Sequence, residues 1–122
     1  MDLANFDNVA NLQLARCVDL LTSKRGEYAP DYDVLQNFKD AAAMNGISSP
    51  EALWGYVTKQ IVSVKNMVHQ DTTNFSMAQW DEKLTDIINY MVLLKAIVIE
   101  NHWELEAATQ PVLVENKENI PA

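Results

Sequence analysis

Residues 76–99 read SMAQWDEKLTDIINYMVLLKAIVI, and this stretch decides the fold. Ser76 and Gln79 have the spacing of a capping box, in which two side chains satisfy backbone N–H groups at a helix start. Trp80, Leu84, Ile87, Ile88, Met91, Leu94 and Val98 then recur at three- and four-residue steps, the period of a helical face rather than of a strand. A helix is therefore predicted from about Met77 past Ile99. Its second half, Met91 to Ile99, is apolar almost all round, and a helix apolar on every side has to be covered on every side. One small chain hardly supplies that cover, so the pattern predicts a homo-oligomer in which part of this helix packs against another subunit.

Upstream, the same logic marks three more helices. Ser48 and Glu51 form a second capping box with Pro50 in the first turn, a start signal for a helix reaching about His69. Trp54, Val57, Ile61, Val64 and Val68 give it an apolar stripe. Asp33 and Gln36 have capping-box spacing as well, and the helix they predict buries Val34, Leu35, Phe38, Ala41 and Ala42 before stopping at Asn45-Gly46, where glycine takes a left-handed conformation cheaply. The first helix is expected from about Asp7 to Ser23, with Ala10, Leu14, Cys17, Val18 and Leu21 on one face. Residues 24–32 and 70–74 read as loops. The expected architecture is all-α: a four-helix domain over residues 1–106, completed by oligomerisation, with an extended or flexible tail at 107–122.

Composition narrows the function classes. The chain has 122 residues, 9 Lys+Arg against 17 Asp+Glu and a formal charge of -8. A nucleic-acid polymer is an improbable partner for it, because such binding needs clustered cations to displace counterions from phosphates. The one dense cationic pair is Lys24-Arg25. Met1 to Phe6 lacks the basic flank and apolar run of a signal peptide, and no stretch is long enough for a bilayer span, so the cytoplasm is the expected location. One cysteine and two histidines provide neither an intrachain disulfide nor a zinc cluster. Cys17, among Leu14, Val18 and Leu21, reads as a small buried hydrophobe.

Three constellations have chemical potential. Glu82, Asp86 and Asn89 are spaced i, i+4, i+7, which puts two carboxylates and an amide on one helical stripe. Oxygen ligands a turn apart suit a hard divalent cation such as Mg2+; they also suit a plain solvated face near a helix start. Asn89, between Ile88 and Tyr90, is harder to assign to solvent, since an amide deep in an apolar helix must find a partner. Lys59, Ser63 and Asn66 repeat the spacing on the preceding helix, where Lys59 suits either a structural ion pair or a ligand phosphate. The third constellation is the loop Lys24-Arg25-Gly26-Glu27-Tyr28-Ala29-Pro30, whose arginine, glycine and aromatic ring fit phosphate contact and base stacking as well as an ordinary connection.

Taken in order, Arg25-Gly26-x-Tyr28 with Pro30, Asn37-Phe38, Lys59-x-x-x-Ser63 and Trp80-Asp81-Glu82-Lys83-Leu84-x-Asp86-Ile87-Ile88-Asn89-Tyr90 resemble the MazG-like branch of the all-α nucleoside triphosphate pyrophosphohydrolases. The likeness includes the nucleotide-modification-associated domains of phages and spans Leu14 to Glu100. It implies a phage-type protein of the host cytoplasm that binds a nucleotide or other phosphate-bearing small molecule. Catalysis would be Mg2+-dependent hydrolysis of a (d)NTP to monophosphate and pyrophosphate. Glu82 and Asp86 would then be the catalytic metal ligands, Lys59 and Arg25 would meet phosphates, and Tyr28, Ser63 and Asn89 would complete the ligand site. The third helix departs from the family by offering Lys59, Ser63 and Asn66 where a first acidic cluster is expected. Two other readings therefore stand beside hydrolysis: a non-catalytic protein that sequesters a nucleotide signal, and a helical protein-interaction or inhibitor module.

Overall fold

The computed structural model describes residues 1–23 and 31–109, and in them the chain forms four α-helices and no strand: α1 Leu3–Thr22, α2 Gln36–Asn45, α3 Ser49–Val68 and α4 Met77–Thr109. The fold is all-α, as the periodicity requires.

Both strong start signals are realised. Glu51 N–H donates to Ser48 Oγ while Ser48 N–H donates to Glu51 Oε1, with Pro50 in the first turn of α3. Ser76 N–H donates to Gln79 Oε1 at 2.8 Å and Gln79 N–H to Ser76 Oγ at 3.2 Å at the head of α4. Gly46 ends α2 at φ 64°, and the N–H groups of Gly46 and Ile47 both reach Ala42 O, the double closure that a left-handed residue permits.

Two starts differ from expectation. α1 begins at Leu3 rather than Asp7, because Asp2 accepts from Asn5 N–H at 2.8 Å and caps it earlier. α2 begins at Gln36, and no Asp33–Gln36 box forms. The Asp33 carboxylate is held instead by Leu35 N–H at 2.9 Å and Lys39 Nζ at 2.5 Å, while Gln36 turns forward to Asp40. Lys39 also reaches Glu100 at 2.7 Å, tying the start of α2 to the far part of α4.

α3 and α4 run antiparallel across a tight connection. Asp71 caps a 3₁₀ turn at Thr72–Asn74, and Trp80 Nε1–H donates to Thr72 O at 3.0 Å with Phe75 edge-on to its ring. The core is Leu35, Phe38, Leu53, Val57 and Ile97, with Tyr90, Leu93, Leu94 and Ala96 packed against it. The buried line of α3 is Leu53, Val57 and Met67, with Val64 half-buried. The buried face is rotated from the expected stripe: Val57 and Val64 lie inside as expected, whereas Trp54, Ile61 and Val68 are exposed and Leu53 and Met67 are buried. Apolar residues occupy two adjacent faces of α3, and period alone does not select the one that α4 covers. α1 joins by polar contacts, Gln13 Nε2–H to Thr85 Oγ1 at 2.8 Å and Arg16 to Asp81 at 3.4 Å, beside buried Cys17; Leu14, Val18 and Val34, expected inside, are exposed.

α4 continues to Thr109, about 50 Å at 1.5 Å per residue, past the expected domain limit at 106. Of its apolar segment only Ile97 is fully buried, while Met91, Val92 and Val98 remain exposed. No helix among the described residues is long and apolar enough to cross a membrane.

The rotated stripe makes a stability prediction. Leu53→Ala, at a side chain with no exposure, is expected to cost ~2–5 kcal/mol. Val62→Ala, on the outer face of α3, should stay within ~0.5 kcal/mol. Urea denaturation at one protein concentration checks the pair, and similar costs at the two positions would contradict the assignment of the buried face.

Candidate functional site

A cavity of about 440 Å³ opens where the end of α1, the start of α2 and the first half of α4 meet. That is within the ~300–1,000 Å³ range of small-molecule sites. Leu20, Leu21 and Ser23 line it from α1, Tyr32 and Val34 from the connection, Asn37 and Phe38 from α2, and Asp86, Asn89, Tyr90 and Leu93 from α4. It exists because α1 is attached to α4 through Gln13 and Arg16, about two turns before its end, so its last turn stands beside α4 without filling the space in front of Asn89.

Asn89 is the unusual member. It is 6% exposed, and neither Oδ1 nor Nδ2 has a hydrogen-bond partner. An unsatisfied buried polar group costs ~1–3 kcal/mol, and here a donor and an acceptor of one amide are both unsatisfied on the wall of a cavity. Asp86, one turn earlier, is half-buried. Burial pushes its carboxyl up from the ordinary value of 3.8, the Glu82 charge adds to this, and Lys83 opposes it. Lys83 is itself turned toward Gln60 of α3 at 3.4 Å. The Tyr90 hydroxyl is pushed up by burial, then by Asp86 and Tyr56. Tyr90 stacks on Tyr56 with ring planes 6° apart, and Phe38 meets Tyr56 edge-on, so the aromatic wall is braced from behind.

The expected site residues are distributed unevenly. Asp86 and Asn89 share the cavity. Glu82 is exposed and does not line it, although its charge reaches Asp86. Ser63 is half-buried two turns along α3 from Tyr56, Lys59 is exposed, and neither lines this cavity. Arg25 and Tyr28 lie outside the described residues. Asn37 and Tyr90 had formed part of the resemblance without a site role; only the packing of α2 on α4 brings them together.

As a metal site the arrangement offers two carboxylates. Among the described residues no group of three His, Cys, Asp or Glu side chains comes together to hold an ion. Mg2+ is commonly held by one or two carboxylates with water and substrate phosphate oxygens completing its shell, so Glu82 and Asp86 fit such an ion only in company with a phosphate ligand.

Compared with protein-family models, with curated proteins and with solved structures, the chain matches none.

The raised carboxyl has a definite pH signature. A group that holds its proton more tightly when folded favours the fold most below its unfolded value, and that contribution is lost as pH rises through the higher folded value. Ionised Asp86 therefore destabilises the free protein at neutral pH. Asp86→Asn is expected to melt at a higher temperature than the parent at pH 7 in EDTA, the gap closing below about pH 4 as the parent carboxyl is protonated. Melting curves across pH check this, and a variant no more stable at pH 7 would contradict it.

Proposed function

We propose that this protein binds a nucleotide or nucleotide-like phosphate ligand, with the base or sugar in the cavity against Asn89. The observation that carries the reading is the buried Asn89 amide, whose donor and acceptor are both unpaired beside a 440 Å³ space. Nucleobase edges present donors and acceptors side by side, the pattern a single amide matches bidentately. Tyr90 and Phe38 add aromatic surface for a planar ring, and Asn37 a second amide. The resemblance of Glu82 to Tyr90 to the MazG-like proteins points to the same ligand class.

Glu82 and Asp86 are the groups for Mg2+ in this proposal, shared with the ligand's phosphates. Bound there, the ion would neutralise phosphate charge and activate water, and the two carboxylates would hold it and orient that water. This makes hydrolysis to monophosphate and pyrophosphate the second reading. With an exposed Lys59 in place of an acid on α3, binding without turnover is favoured, as for a protein that sequesters a nucleotide signal.

Melting curves with each canonical (d)NTP and its monophosphate, in Mg2+ or EDTA, test the proposal. A ligand at 100 times its dissociation constant stabilises by ~2.7 kcal/mol. Asn89→Leu should abolish that gain and yet make the free protein more stable, by ~1–3 kcal/mol, because the unpaired amide is gone. Release of pyrophosphate that Asp86→Asn eliminates would establish hydrolysis. No shift with any nucleotide in either condition would overturn the proposal.

A further inference from the structure

A second feature is independent of the cavity and of what occupies it. α4 carries a large apolar side chain at every seventh position, Met77, Leu84, Met91, Val98 and Leu105, and all five are 38 to 71% exposed. α3 does the same with Trp54, Ile61 and Val68, at 40 to 54%. Seven-residue spacing is the period of a seam between packed helices, and among the described residues two parallel seams are left without a partner.

They lie on one face. Tyr56 flanks the buried Leu53–Val57 line of α3 on the side where it meets Phe38 of α2, and Trp54, Ile61 and Val68 flank that line on the other side. On α4, Ile97 and Glu100 turn toward Leu35, Phe38 and Lys39 at the start of α2, while Leu84, Met91 and Val98 are on the opposite flank. Among the described residues the α3–α4 hairpin is thus covered by α2 on one side and bare on the other. α1 also exposes Phe6, Val9, Leu12, Val18 and Leu20, but without the seven-residue repeat of α3 and α4.

We propose that the bare face of the α3–α4 hairpin is the interface with a second copy of this chain, the two hairpins packing face to face as a four-helix layer. Size supports a self-contact: eight large side chains about half exposed amount to on the order of 800 Å², what one partner contributes to a standard stable interface, and more than the ~300–600 Å² of the largest apolar patch on a typical monomer. Charge supports it too. In a chain of net charge -8, like-charge repulsion opposes self-association, yet the positions four residues beyond the stripe members include Lys65, Lys95 and His102 and a single carboxylate, Asp81, which pairs with Arg16. At these positions two copies meeting here bring together no acid but Asp81, whose charge Arg16 offsets. In a two-fold contact each pairing of one residue with another occurs twice, once from either copy, so one self-complementary patch of similar side chains suffices.

Light scattering and sedimentation of the full chain at high micromolar concentration test the interface. The expected mass is twice the 13.8 kDa of one chain. Ile61→Glu and Met91→Glu, one on each helix, should each reduce it to a single chain with helicity retained by circular dichroism. Leu12→Glu, on exposed α1 surface, should leave the pair intact. If one interface variant loses its helicity, the other reads the outcome. A monomeric parent would overturn the proposal and assign the face to a different partner protein, and association that survives both interface variants would overturn it by placing the contact elsewhere.

Discussion

The structure depends on covering one long helix. α4 is apolar round much of its circumference, and burial of Ile97, Leu93 and Leu94 against Leu53 and Val57 of α3 and Phe38 and Leu35 of α2 is its main apolar contact. Apolar burial is non-directional and scales with area, so by itself it holds α2 and α3 on α4 without setting their positions along it. The directional contacts do that: the capping boxes at Ser48 and Ser76, the left-handed Gly46, the Trp80 clamp on Thr72 and the Lys39 bridge to Asp33 and Glu100.

α1 follows another rule. Its attachment rests on Gln13 and Arg16, with much of its apolar surface outside. A helix docked through a few polar contacts leaves space beside it, and the cavity in front of Asn89 is that space. Asn89 and the ionised Asp86 weaken the free protein, a cost that the proposed ligand site would account for. The same segment of α4 thus faces the cavity with one flank and exposes the apolar seam on the other.

Much of this was legible in the residues. The helix starts at Ser48 and Ser76 and the stop at Gly46 were readable because capping is local: each partner lies within a few residues of the other. The start of α2 departs from its local signal for a related reason. Asp33 has a competing partner in Lys39, and that pairing is secured by Glu100, far along the chain. The site was half legible. Asn89 stood out as an amide in an apolar run and Asp86 as its neighbour, but Asn37 and Tyr90 become wall residues only through packing between helices.

The amino-acid sequence by itself determined that the chain is helical, where two of its helices begin and one ends, and that α4 carries more apolar surface than a single face can bury, since periodicity and capping are properties of neighbouring residues. Only the tertiary structure decided which of two apolar faces of α3 is inside, that Lys59 stands apart from Asp86 and Asn89, and that an unpaired amide borders an open cavity. The physical reason is the same in each case: a helix shows its own period, but which side becomes the inside depends on the helices that pack against it.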